Sequence, residues 1–255
     1  MIGIFDSGVG GLTVVKEIKK AMPKAPIVYF GDTARLPYGN KSQETIRKYS
    51  SEIVDFLKSK NCQTIIIACN SASALAADFL REKYPELNIY DVVSSGAQAV
   101  TEATKTRRIG VIGTAATINS GVYKKKIAEI DPKIEVHVQA CPLFVPLVEE
   151  NWIRRPETKK IARAYLRGLK LKKVDTLLLG CTHYPLLEKV ISEVMGKRTK
   201  VIASGEKLAE FLKKTHLETK FPSNDEYFVS DLTPHFEKLA GKILGKDIKI
   251  RKVML

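Results

Sequence analysis

Apolar residues fall along the chain in short runs that alternate with stretches of helical period. Ile2 to Phe5, Pro26 to Gly31, Ile65 to Ala68 and Leu87 to Val93 are compact runs bounded by turn residues, as buried strands are. Between them Leu12, Val15, Ile18 and Met22 recur on one side of a helix. Ile46, Tyr49, Ile53 and Phe56-Leu57 do the same over Ser42 to Lys58, and a helix-forming sequence runs from Ala72 to Lys83. The alternation restarts at Arg108 to Gly113 and continues through a helical Gly121 to Ile130. Ile134, Val136 and Val138 alternate with polar residues, and Cys141-Pro142 opens a segment reaching Glu149-Glu150. A helix from Glu157 to Leu171 and an apolar strand from Val174 to Gly180 follow. Pro185 suits the first turn of a helix running to about Met195. The tail adds strands near Val201 and Tyr227 and helices near Glu206 and Pro234. Strands alternating with helices in this way predict an α/β fold with largely parallel sheets.

Two of the strands end alike. Thr64-Ile65-Ile66-Ile67-Ala68 stops at Cys69, followed by Asn70 and Ser71; Thr176-Leu177-Leu178-Leu179-Gly180 stops at Cys181, followed by Thr182 and His183. Upstream, Ile2-Gly3-Ile4-Phe5-Asp6-Ser7-Gly8 resembles Ile109-Gly110-Val111-Ile112-Gly113-Thr114-Ala115. First isoleucine and cysteine are 67 residues apart in one unit and 72 in the other. An internal repeat of this kind predicts two related α/β units. If they face each other, the two cysteines lie on opposite walls of one cleft. Cys69 by itself reads either as a small apolar residue at a strand end or as a thiolate favoured by the free N–H groups and positive end of the next helix.

Bulk properties narrow the setting. The chain has 255 residues, enough for one large domain or two smaller ones, and its hydrophobic (44%) and charged (27%) fractions are those of a globular protein. Its first residues lack the basic start and cleavage site of a signal peptide, and no apolar run approaches a membrane span, so a cytoplasmic protein without a membrane partner is expected. The net charge of +14 suggests anionic partners, but the basic residues noted at Lys16, Lys19, Lys20, Lys124 to Lys126 and Lys246 to Lys252 read mostly as solvated surface. With no zinc-finger spacing and no aromatic-laced basic platform, nucleic acid is not expected as a partner. The four cysteines form no C-x-x-C pair, so neither disulfides nor a metal site built from Cys69, Cys181 and His183 is expected. Cys62 and Cys141 read as buried apolar fillers. The glycines from Gly8 to Gly11 lack the lysine of a phosphate loop and the spacing of a dinucleotide motif.

Opposed thiols suit inversion at a carbon bearing a weakly acidic hydrogen. One thiolate removes the proton and the other thiol returns one from behind. Nothing in the pattern calls for metal, PLP or flavin, so no cofactor is expected.

Asp6-Ser7-Gly8-Val9-Gly10-Gly11, Pro37-Tyr38-Gly39, Ala68-Cys69-Asn70, Gly113-Thr114, Cys141-Pro142-Leu143 and Gly180-Cys181-Thr182-His183-Tyr184-Pro185 together resemble bacterial glutamate racemases of the aspartate/glutamate racemase superfamily. The resemblance weakens after about residue 205. It implies two pseudo-symmetric α/β domains with the active site in the cleft between them, one built from 1–93 plus 205–255 and the other from 94–204. It implies cofactor-independent interconversion of L- and D-glutamate, a supply of D-glutamate for peptidoglycan, and a homodimer. Carried over by residue, Cys69 acts on the α-hydrogen of D-glutamate and Cys181 on that of L-glutamate. Asp6 sits beside Cys69, His183 assists Cys181, and Glu149 lies near His183. Ser7, Tyr38, Gly39, Asn70, Ser71, Thr114, Thr117 and Thr182, with Asp6 and His183, bind the carboxylates and ammonium.

Other readings stay open at this point. Asp6 and His183 also read as local caps, and Asp32 as a turn residue. An aspartate racemase, a non-catalytic binding protein and a cysteine hydrolase are the competing functions. The last leaves the second cysteine junction unexplained. The chain departs from the family pattern at Ser71, at Ser94-Ser95-Gly96 and at Ala203-Ser204-Gly205-Glu206, the last two near the expected hinge.

Overall fold

The computed structural model describes residues 1–215 and 224–255. The elements run β1 (Ile2–Asp6), α1 (Leu12–Ala21), β2 (Ile27–Gly31), α2 (Gln43–Ser59), β3 (Thr64–Ile67), α3 (Asn70–Lys83), β4 (Asn88–Asp91) and α4 (Val92–Ala103). Then come β5 (Arg108–Gly113), α5 (Ala115–Asn119), α6 (Val122–Ile130), β6 (Glu135–Ala140), α7 (Phe144–Glu149), α8 (Pro156–Leu171) and β7 (Thr176–Gly180). The chain closes with α9 (Glu188–Met195), β8 (Lys200–Ala203), α10 (Ser204–Lys214), β9 (Glu226–Val229), α11 (Pro234–Leu244) and β10 (Ile250–Lys252).

The strands form a six-stranded sheet ordered β10-β9-β2-β1-β3-β4 and a four-stranded sheet ordered β6-β5-β7-β8, with parallel pairing throughout the described residues. The repeat legible in the sequence is thus a repeat of topology. β2-β1-β3-β4 matches β6-β5-β7-β8, and Ile2 pairs with Thr64 as Ile109 pairs with Thr176.

Helices cover both faces of each sheet, as parallel sheets require, which is why the strands read as unbroken apolar runs. In the larger sheet Ile2, Ile4, Ile27, Tyr29 and Ile66 face α1, α10 and α11, while Phe5, Val28, Phe30, Ile65 and Ile67 face α2 and α3. In the smaller sheet Leu177 and Leu179 face α8 and α9, while Ile109, Val111 and Leu178 face α4 and α6. The carboxyl ends of the central strands, at Asp6, Cys69, Gly113 and Cys181, converge between the sheets. In open α/β folds ligands bind at such ends.

The structure corrects the sequence reading in places. The apolar run Leu87 to Val93 is not one strand: it stops at Asp91, and Val92 and Val93 begin α4, which the hydrophobic pattern missed. Asp91 caps that helix, its Oδ1 accepting from the N–H groups of Val93 (2.9 Å) and Ser94 (2.8 Å). The helix expected from Pro185 is a 3-10 turn, Tyr184–Leu187, followed by α9. Short helices α5 and α7 and the edge strand β10 are additions to the pattern. Among the described residues no helix is long and apolar enough to cross a membrane.

Candidate active site

Ser7, Leu36, Pro37, Tyr38, Gly39, Cys69, Asn70, Ser71, Thr114, Val145, Cys181, Thr182 and His183 line one tight cavity of about 30 Å³, far smaller than the ligand pockets of most proteins. Both cysteines are in it, one from each sheet. Ten of the residues singled out in the sequence form the lining, while Asp6, Glu149 and Thr117 stand directly behind it.

Cys69 is the residue before α3, where the chain turns out of β3. Its thiol donates to Ser7 Oγ at 3.7 Å. Burial, and next the charge of Asp6, push this thiol up to about 12; the Ala72 N–H and Ser7 pull the other way without prevailing. Of the two readings of Cys69, the pull of the helix start toward a thiolate is outweighed, and burial favours the thiol. Asp6 is itself fully buried at the end of β1. Its carboxylate accepts from the Gly8 N–H (3.0 Å) and from Thr182 Oγ1 (3.2 Å), so it reaches across to the second cysteine's loop. Burial raises its pKa, opposed by the charge of His183 and by those hydrogen bonds.

Cys181 follows β7, and its Sγ lies 3.9 Å from His183 Nδ1. His183 Nε2 lies 3.2 Å from Glu149 Oε1, at the end of α7. Burial alone would hold the imidazole neutral. Cys181 and Glu149 outweigh it by hydrogen bonding and by charge, and the His183 pKa stands at about 10. A cation therefore sits beside Cys181, and the carboxyl group of Asp6 near Cys69.

The polar lining is tied down from behind. Tyr38 donates its hydroxyl to Asp32, a fully buried carboxylate that also takes Arg35 Nε (2.7 Å) and Ser230 Oγ (2.8 Å). Burial and that carboxylate push the Tyr38 phenol far up, so it stays a donor. Asn70 Oδ1 accepts from Tyr123 (2.6 Å), which fixes the amide, while its Nδ2 is buried with no partner. An unmet buried donor on a residue that lines the cavity is what an anionic or carbonyl oxygen would satisfy. Ser71 lies 3.0 Å from Thr114 and 3.4 Å from Thr117, a hydroxyl cluster joining the two halves. The halves also meet backbone to side chain: a Cβ on Gly10 would come within 2.4 Å of Thr182 Oγ1 and 2.5 Å of His183 Nδ1, and one on Gly39 within 2.9 Å of Thr114.

The sequence passed over Leu36 and Val145, apolar lining residues, and Tyr123, which has no local motif. Asp32 was legible only as a turn residue or a functional one; it is neither exposed turn nor lining but the anchor of Tyr38. Cys62 and Cys141 are buried, away from the lining, as expected of fillers. Among the described residues no group of three His, Cys, Asp or Glu is placed to hold a metal ion.

The model of the Asp/Glu/Hydantoin racemase family matches residues 6–212. The chain belongs to that family. A glutamate racemase of Geobacter metallireducens is 47% identical over 250 residues, which is 96% of this chain and 92% of that one. The crystal structure of a glutamate racemase from Bacillus anthracis superposes with a TM-score of 0.94 at 36% identity, covering 100% of this chain and 97% of that one. A glutamate racemase from Francisella tularensis, solved with D-glutamate, gives 0.91 at 34% identity over the same shares of each. The two-sheet α/β architecture with parallel strands is that of these racemases.

Proposed function

We propose that this protein is a glutamate racemase working by two opposed thiols, without a cofactor. The observation that carries the reading is the pair of equivalent strand ends, Cys69 and Cys181, lining one small cavity whose other polar groups are hydroxyls, an amide and an imidazole. Glutamate enters from the relatives: it is named for the Geobacter and Bacillus enzymes and is bound as D-glutamate in the Francisella one.

With L-glutamate, Cys181 as thiolate takes the α-proton while its charge is balanced by His183, held by Glu149. The electron pair left on the α-carbon is delocalised into the α-carboxylate, and Cys69 delivers its thiol proton to the opposite face. D-Glutamate leaves, Cys69 is a thiolate and Cys181 a thiol. The reverse reaction runs through the same states. Asp6 supports the ammonium and the proton on Cys69. Ser7, Tyr38, Gly39, Asn70, Ser71, Thr114 and Thr182 bind the carboxylates and ammonium, with Thr117 behind them; charge-assisted bonds of this kind orient a substrate. Holding the α-carbon between two fixed sulfurs converts proton transfer into an intramolecular step.

The division into 1–93 plus 205–255 and 94–204 is supported by the two sheets, with α4 and α10 as the crossing segments. A homodimer in the cytoplasm, and a role in supplying D-glutamate for peptidoglycan, complete the proposal by analogy with bacterial relatives. The test is to incubate D-glutamate with the protein in the absence of any added cofactor and follow ellipticity. Decay to zero as the racemate forms supports the reading; a constant signal from folded protein refutes it. Aspartate in parallel decides the side-chain length: turnover of aspartate in preference to glutamate would make it the substrate.

A further inference from the structure

More than half of the excess positive charge sits in one place. Residues 154–173 hold nine basic side chains against the single acid Glu157, a net +8 of the chain's +14. Most of this stretch is α8. Thr158, Ala162, Leu166 and Leu169 form the buried stripe of the helix, packed against Phe144, Leu179 and Ile191. Lys160, Arg163, Arg167 and Lys170, at three- and four-residue spacing, lie together on the opposite, exposed side. Arg154 and Arg155 precede this ridge and Lys172 and Lys173 continue it, all exposed.

Little of this charge is spoken for. Lys159 pairs with Glu193 (2.7 Å), Lys170 donates to the Val194 carbonyl (3.0 Å), and Arg155 stacks over Trp152. Among the described residues no carboxylate lies within 4.0 Å of the charged atoms of Arg154, Lys160, Arg163, Arg167, Lys172 or Lys173. Like charges on adjacent turns repel and destabilise a helix slightly. At the end of the ridge Leu171 is 72% exposed, an isolated apolar side chain among cations.

We propose that the α8 face docks the protein peripherally on an anionic lipid bilayer, the phosphates meeting the basic ridge and Leu171 entering the headgroup boundary. A basic ridge supplies the long-range attraction to anionic headgroups, and an exposed leucine beside it adds apolar contact. The ridge carries no exposed Asn, Gln or aromatic group to read or stack on bases, so a nucleic acid would leave Leu171 unused. The face lies on the smaller sheet's helices and is separate from the cavity lining.

Co-sedimentation with vesicles tests the proposal. The wild-type protein should bind vesicles of equal parts phosphatidylglycerol and phosphatidylcholine, more weakly as salt rises, and not vesicles of phosphatidylcholine alone. K160E/R163E/R167E should lose on the order of 100-fold or more of that binding, and Leu171→Ser several-fold, both keeping full racemase activity as evidence of folding. K124E/K125E/K246E, the same charge change elsewhere on the surface, should bind within about twofold of wild type. Equal loss in the control would make the binding a matter of net charge and overturn the proposal. So would equal binding to neutral vesicles, or no binding to anionic ones. Tighter binding to duplex DNA than to vesicles, lost in K160E/R163E/R167E and untouched by Leu171→Ser, would reassign the face to nucleic acid.

Discussion

Cys69 and Cys181 occupy matching places in the two halves: each ends the strand that pairs with the first strand of its unit, in the same register. Their surroundings differ in chemistry. In the alignment of the repeats Asp6 corresponds to Gly113 and His183 to Ser71, so one half supplies a carboxylate and the other an imidazole. The carboxylate and burial hold the Cys69 proton on. The imidazole, charged because Cys181 and Glu149 favour its protonated form, stands ready to balance a thiolate. Topology thus brings both sulfurs to one cavity. Two residues at which the repeats differ, Asp6 and His183, give the two thiols unlike neighbours. Thr182 joins the helpers by bonding to Asp6, so the poles share one network.

Cysteine removal tests the symmetric part of this picture. Cys69→Ala and Cys181→Ala should each lower kcat/KM on the order of 1,000-fold or more. Enantiomers have equal free energy, so the loss must be the same in both directions. A variant keeping activity within about tenfold of wild type would mean that its sulfur is no acid or base.

The helper residues test the asymmetric part. Asp6→Asn and His183→Asn should each cost on the order of 100-fold in kcat/KM. They should part company in alkylation by iodoacetamide, read at each cysteine by peptide mass. Asp6→Asn should speed modification of Cys69 by removing the neighbouring negative charge, whereas His183→Asn should slow modification of Cys181. The same response at both cysteines would erase the distinction between the poles.

Asp32→Asn probes the support under Tyr38. It weakens the bonds that Tyr38, Arg35 and Ser230 make to a buried carboxylate while Arg35 keeps its ion pair with Glu52, so a loss of about 1–2 kcal/mol in urea unfolding is expected, with KM rising more than kcat falls. An unchanged KM would place Tyr38 outside substrate binding.

The smallest effect is on stability against pH. His183 has a folded-state pKa of about 10 against an ordinary 6.5, so its contribution is complete below the lower value and is lost as pH rises through the higher one. Cys69, raised from 9.0 to about 12, acts in the same direction at higher pH. The urea midpoint of wild type should therefore fall between pH 7 and 10 more steeply than that of His183→Asn. Parallel curves would contradict the charged imidazole.

Much of this was legible in the sequence because strand runs and the Cys-ending repeat are local. Thr64 to Cys69 and Thr176 to Cys181 announce themselves, and the register they imply is the register observed. Helix α4 did not, since Val92 and Val93 continue an apolar strand without a break. The capping side chain of Asp91 was the available signal. The anchoring of Tyr38 depends on Ser230, distant in sequence, and the fixing of Asn70 on Tyr123; no local pattern records either. The protonation state of Cys69 was not legible, because the helix start is local whereas burial and the approach of Asp6 are tertiary.

The claim that two thiols act from opposite faces is tested most directly by the early course of isotope exchange. D-Glutamate bearing hydrogen at the α-carbon is turned over in D₂O, stopped after a few per cent reaction, and each enantiomer is analysed for deuterium. Two opposed acids and bases predict that newly formed L-glutamate carries deuterium while recovered D-glutamate keeps its hydrogen. Deuterium entering recovered D-glutamate as fast as it enters L-glutamate would mean that one group serves both faces, and would contradict the account.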